Sequence, residues 1–365
     1  MNDKIKTSTR GVNSTDPKEF ETHIVFLDTQ VYRKFHFNPE NKLLQILISL
    51  MVERKIDLYI TDITLKEIER QISEIFIGVN QTFKRANKDL NYWLKRANLE
   101  ENLVNTEELA DTLPQRAFAR FTEAFRFNID GRVITAATIN AAEIFANYFE
   151  RRPPFEKHGS KEFPDAFVVQ SLDNWCDQNN AQMNVVSADE SFRKAADATE
   201  NLITYENLDG LLQSFATLEN RNLLKHAQKF LTTTIDYTDL KTKLEESLND
   251  GVLVYWGDLT DGEANECKIV GEVEITDYSI LSYGRHLSVL LNLKAELCVN
   301  VSYDDMSFAT YDREDDKYYG VESENTDIDC SINVNCYVRF DDLTGKIEDF
   351  ELLDTQVRVR EDPDF

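Results

Sequence analysis

This chain has few cysteines and no long hydrophobic run. Its five cysteines, Cys176, Cys267, Cys298, Cys330 and Cys336, are an odd number among 365 residues, and no CxxC or Cys/His cluster occurs. That pattern argues against a disulfide framework and against a zinc site of the usual spacing. It reads instead as small buried side chains kept reduced in a cytoplasm. The longest apolar run, Leu43 to Val52, is about half of the ~20 residues a membrane helix needs. The polar start (MNDKIKTSTRGVNSTDPKEF) lacks the apolar core of a signal peptide. The expectation is a soluble, cytoplasmic protein with no membrane partner. No GxxxxGK[ST] phosphate loop and no Ser/His/Asp signature is present, which leaves kinase or phosphatase readings unsupported.

What is present is a folded composition with an uneven charge. Hydrophobic residues make up 42% and aromatics 11%, the values of a globular chain long enough for two domains. The net charge of −26 would discourage phosphate binding, which is driven by Lys and Arg. The distribution of that charge removes the objection. Residues 1–230 hold 29 Lys and Arg against 34 Asp and Glu, whereas residues 231–365 hold 11 against 32. Nearly all the acidity lies in the last third, as expected of two domains with different tasks.

Patterning supports the same division. HIVFLDT (His23–Thr29), DLYIT (Asp57–Thr61) and MNVVSAD (Met183–Asp189) are short, nearly continuous apolar runs of the kind buried on both sheet faces. They alternate with helical spacing over 40–54, 63–98, 105–150, 166–175 and 207–230. Strand–helix alternation predicts an α/β domain, a parallel sheet flanked by helices. The expected layout is a polar lead (1–21), an α/β domain (22–230) with a helical insertion at about 75–150, and an acidic accessory domain (231–365). In the last part Leu287–Val301 and Ile328–Phe340 alternate apolar with polar, with shorter runs at 268–276 and 352–359. That predicts an α+β domain whose antiparallel sheet has one polar face, covered on the other by a helix at 237–249.

Four acids fall where an α/β sheet presents chemistry. Asp28 ends the first strand and Asp189 the MNVVSAD strand, and ligands bind outside the carboxyl ends of parallel strands. Asp165 lies in the first turn of a helix behind Pro164, where the helix dipole favours an ionised carboxylate. Glu67 sits about one turn into the helix after the second strand. Taken singly, each has an ordinary role as a turn, helix-start or solvated acid. Together they would repel one another and need a hard divalent cation between them.

The segments IVFLDTQVY, ITDITLKEIERQI, KEFPDAFVVQSL and NVVSADESFRKA, spread over roughly 22–215, resemble the PIN-domain nuclease family, in a bacterial branch with a long helical insertion. The resemblance implies Mg²⁺- or Mn²⁺-dependent hydrolysis of phosphodiesters, most often in single-stranded RNA, by an endoribonuclease. Carried over by position, Asp28, Glu67, Asp165 and Asp189 would be the catalytic metal ligands. Thr29 and Ser187 are candidates to support them through hydrogen bonds. Arg152, Lys157 and Lys161, close before the third acid, and Lys84 and Arg85, interleaved with aromatics, are candidates for nucleic-acid contact. Two rival readings stand beside this one: a DNA-directed structure-specific nuclease, and a catalytically silent PIN fold used as a binding module. The acidic C-terminal domain is a candidate docking surface for a regulatory protein partner, and assembly as a homo-oligomer is left open.

Overall fold

A computed structural model describes residues 22–96, 107–129, 131–156, 162–219, 222–312 and 317–360. The expected polar lead therefore lies outside the described residues. The described residues form two compact units, divided between Leu211 and Leu212.

The first unit runs β1 (Ile24–Leu27), α1 (Thr29–Lys34), α2 (Lys42–Val52), β2 (Asp57–Thr61), α3 (Asp62–Arg96), α4 (Glu107–Ala124), β3 (Val133–Ile134), α5 (Ala141–Phe149), α6 (Phe163–Asn179), β4 (Met183–Val186), α7 (Glu190–Asp197) and β5 (Leu202–Tyr205). All four strand pairings are parallel, in the order β3-β2-β1-β4-β5. The central strands are buried on both faces, which is why β1 and β4 are almost wholly apolar. From β1 the chain winds outward through β2 to β3, then returns to the other side of β1 to lay down β4. Strand order reverses there, at the point where open parallel sheets place ligands outside the carboxyl ends of their strands. Within β4 the one polar side chain, Asn184, is fully buried and donates to the Thr22 carbonyl at 2.7 Å.

The division between the units falls within α8 (Leu208–Glu219), which is followed by α9 (Leu223–Thr233). Spacing alone predicts one helix over 207–230. Helix α10 (Tyr237–Leu248) is capped by Asp236, which accepts from the Thr238 and Asp239 amides. Then come β6 (Leu253–Tyr255), β7 (Glu263–Tyr283), β8 (His286–Asp305), β9 (Thr310–Asp312), β10 (Lys317–Tyr319), β11 (Glu322–Asp341), β12 (Ile347–Leu352) and β13 (Val357–Val359). Strands β12-β11-β8-β7 form the antiparallel sheet, and β8 and β11 pair in unbroken register from Asp305↔Glu322 to His286↔Asp341. The odd-numbered residues of β8 from Leu287 to Val301 enter the core, together with Leu240, Leu244 and Leu248 of α10. The 352–359 run, which alternates like one strand, is divided. Its start belongs to β12, and β13 instead pairs parallel with β6. Among the described residues no helix is long and apolar enough to cross a membrane.

The alternation sets a stability test. Leu293 is fully buried and its neighbour Lys294 is exposed. Leu293→Ala should lower the unfolding free energy of the full chain by about 2–5 kcal/mol, read as a shift of the urea midpoint. Lys294→Ala should leave it within about 0.5 kcal/mol. Equal effects would contradict a one-faced core.

Candidate metal centre

Asp28 occupies the N-cap position of α1, yet its side chain makes no capping hydrogen bond. One carboxylate oxygen instead accepts from the Ser187 hydroxyl at 2.8 Å. Ser187 follows β4, and its Oγ also accepts from the Asp189 amide at 3.1 Å. Next to Asp28, Thr29 donates its hydroxyl to Glu67 at 2.8 Å. Two hydroxyls thus fix two of the acids while leaving their other oxygens open. Asp189 is different: one of its oxygens caps α7, accepting from the Ser191 and Phe192 amides at 2.7 and 3.0 Å. Only its second oxygen is left for other work.

Helix α1 is held in place from behind. Tyr32 is fully buried and meets Phe121 and Phe125 edge-on, at 5.1 and 5.4 Å between ring centres. Its hydroxyl is buried with no hydrogen-bond partner among the described residues. Burial, and then the Asp28 charge, raise the Tyr32 phenol well above its ordinary range.

The acids sense one another. Burial pushes the Asp28 carboxyl up to about 6; the Ser187 hydroxyl and the Thr29 amide oppose this, and the charges of Glu67 and Asp189 add to it. Asp165 rises further, to about 8, through burial first and then the Asp28 charge, contact with Glu162, and the Glu162 and Glu67 charges. The first-turn position favours an ionised Asp165, but burial and crowding by neighbouring acids outweigh the helix dipole, whose effect at a helix end is roughly 0.3–1 kcal/mol.

All four acids singled out in the sequence therefore meet at one end of the sheet. Sequence reasoning missed Glu162, the N-cap of α6, although its spacing of three from Asp165 puts both on one helix face. It also missed Arg193, which donates to the Ser187 carbonyl at 2.7 Å. The candidate cations are not gathered in the same way. Lys157 and Lys161 lie outside the described residues. Arg152 is exposed and ion-paired with Glu150 at 2.7 Å. Lys84 and Arg85 are exposed on α3, roughly 25 Å along the helix from Glu67 at ~1.5 Å per residue.

An all-oxygen donor set of this kind suits a hard cation such as Mg²⁺ or Mn²⁺. Among the described residues only His286, Asp341 and Glu348 of the other unit bring three ligand atoms within 4.8 Å of one another. No three of the described acids around Asp28 come that close together. In the His286 trio, Arg339 already faces Glu348 at 3.4 Å.

Residues 25–192, a span containing all four acids, match the family model of the PIN domain. This segment is a PIN domain. No curated protein and no solved structure matched the chain. PIN domains are generally metal-dependent nucleases, and in this one the four acids stand at the switch between β1 and β4.

The crowding has a measurable sign. A carboxyl whose pKa is raised on folding contributes stability that is present at low pH and lost as pH climbs from its ordinary 3.8 through its folded value, about 8 for Asp165. In EDTA the protein should melt at progressively lower temperature as pH rises across that window. Asp165→Asn should melt higher than wild type at alkaline pH and show a flatter profile, by calorimetry. Parallel profiles for the two proteins would contradict the crowding.

Proposed function

We propose that this chain is a metal-dependent nuclease, acting in the cytoplasm as an endoribonuclease on single-stranded RNA, with Mg²⁺ or Mn²⁺ held among Asp28, Glu67, Asp165 and Asp189. The observation that carries the reading is the convergence of four carboxylates at the ends of β1 and β4, two of them oriented by the Ser187 and Thr29 hydroxyls and Asp28 and Asp165 raised by burial and by neighbouring acids. A fold retains such repulsion where a ligand relieves it. When bound, the divalent ion would lower the pKa of a water and neutralise charge on the phosphate.

The roles of the side chains follow from their contacts. Asp28 and Asp165, deprotonated on metal binding, would supply direct ligands, and Asp189 would offer the oxygen not engaged in capping. Glu67, oriented by Thr29, would ligate or hold the attacking water. Ser187 would keep Asp28 aimed at the metal site, since its hydroxyl can donate to only one oxygen at a time. Arg152, Lys157 and Lys161, close before Asp165 in sequence, would take the phosphate backbone, with Lys84 and Arg85 reached only by a longer strand.

Cleavage of labelled RNA and DNA strands of the same sequence, with Mg²⁺, Mn²⁺ or EDTA, tests the reading. Asp28→Asn and Asp165→Asn should each reduce the cleavage rate about a hundredfold or more, the scale of several kcal/mol of lost charge stabilisation. Both variants should remain folded. Ser187→Ala and Thr29→Val should instead weaken metal binding by roughly 10–100-fold, measured by titration calorimetry. Undiminished cleavage by purified Asp165→Asn would overturn the assignment. Cleavage confined to DNA would favour a DNA-directed enzyme with the same acids.

A further inference from the structure

One exposed feature of the PIN domain is not used by the metal centre. Helix α5 buries Ile144 against Phe155 and Ala166, but on its outer side Phe145 and Phe149 are 47% and 76% exposed. Spaced by four, they share one helix face, with ring centres 6.4 Å apart. The rings continue inward: Phe145 lies 5.4 Å from Phe163, which lies 5.0 Å from Tyr148 and 4.9 Å from Phe155. Phe163 opens α6, flanked by Glu162 and two residues before Asp165. The linked rings therefore run from solvent to the first turn of α6, the turn that carries Asp165. Arg151 and Arg152, both exposed, follow α5 closely, and the Arg152–Glu150 pair is a surface pair of the sort worth at most ~1 kcal/mol.

We propose that Phe145 and Phe149 form a stacking platform for the unpaired bases of a single-stranded nucleic acid whose backbone enters the acidic site. The inference rests on the nuclease reading and adds to it the two residues that would hold the unpaired bases. A lone exposed phenylalanine calls for no explanation. Two on one face, packed through Phe163 on the turn that carries Asp165 and followed closely in sequence by two exposed arginines, match the ring-and-cation pairing used to hold single strands. A stable protein partner would need roughly 800 Å² per side, far more than two rings expose, whereas a base needs only one ring face. A duplex keeps its base faces stacked and cannot use them here.

The test uses the full-length protein with Ca²⁺ at low salt and a labelled, unstructured RNA strand, read by fluorescence anisotropy. A DNA strand of the same sequence, the matching duplex, and an abasic strand of equal length are compared. Wild type should bind the strands with bases more tightly than the abasic strand or the duplex. Phe149→Ala and Phe145→Ala should each weaken binding of RNA and DNA strands by about fivefold or more, leaving the abasic strand unaffected. Phe149→Tyr, which keeps a ring, should bind as wild type. Equal wild-type affinity for abasic and base-bearing strands would overturn the platform while leaving the nuclease reading intact. So would alanine variants that keep wild-type affinity but lose self-association on size-exclusion chromatography, marking the rings as a protein contact. Failure of wild type to bind any strand would remove the nuclease reading as well, a result distinct from the other two.

Discussion

Repulsion between carboxylates gathered at the ends of β1 and β4 is the constraint around which the polar contacts of the PIN domain are arranged. Two charges a few ångströms apart at an effective dielectric near 20 repel by roughly 2–4 kcal/mol, a sizeable part of a domain's net stability. Sheet topology makes the gathering unavoidable. The strand order reverses between β1 and β4, so residues leaving these strands converge whatever their chemistry. What the sequence adds is the choice of acid at both exits, on α3 and in the first turn of α6. The large apolar core beneath tolerates the cost because Phe26 and Val185 of the sheet are buried in one cluster with Phe192 of α7.

How the repulsion is left unrelieved matters as much as its presence. A lysine or arginine placed among the acids would balance them and also fill the space between them. The hydrogen bonds come instead from hydroxyls, Ser187 to Asp28 and Thr29 to Glu67, which orient a carboxylate without cancelling its charge. Arg193 directs its guanidinium to the Ser187 carbonyl. It thereby braces the strand end that carries Ser187. The Tyr32 hydroxyl, buried and without a partner among the described residues, fits the same logic: the wall behind the acids is polar at one atom and otherwise aromatic.

The sheet and its acids are legible in the sequence for a physical reason. Strands buried on both faces must be apolar throughout, so β1, β2 and β4 are visible as runs, and the acids that follow β1 and β4 stand out against them. Strand β3 is not legible, since two residues carry no period; it is fixed by pairing with Ile60 and Thr61. The split of 207–230 into α8 and α9 is also hidden, because apolar spacing continues through the break. Glu162 escapes because, like Glu67, it resembles a solvated helix acid taken alone. Phe145 and Phe149 escape for the opposite reason: in AAEIFANYF an exposed ring and a core ring have the same helical spacing, and only packing separates them.

The acidity of the second unit is held in a different way. Along β8 and β11 almost no acid in register faces another: Asn300 donates to Asp327 at 2.9 Å, and Tyr303 reaches Glu324 at 3.2 Å. On β7, Glu274 stands opposite Lys294. Glu322 opposite Asp305 is the exception, at the end of the ladder, where like charges can turn outward. Exposed acids on this face are therefore solvated one by one, and their repulsion is diluted by water and by intervening amides. A polyanion meeting that face would find few cations to exchange for its counterions. In the nearly charge-balanced PIN domain the acids are instead concentrated at the ends of β1 and β4.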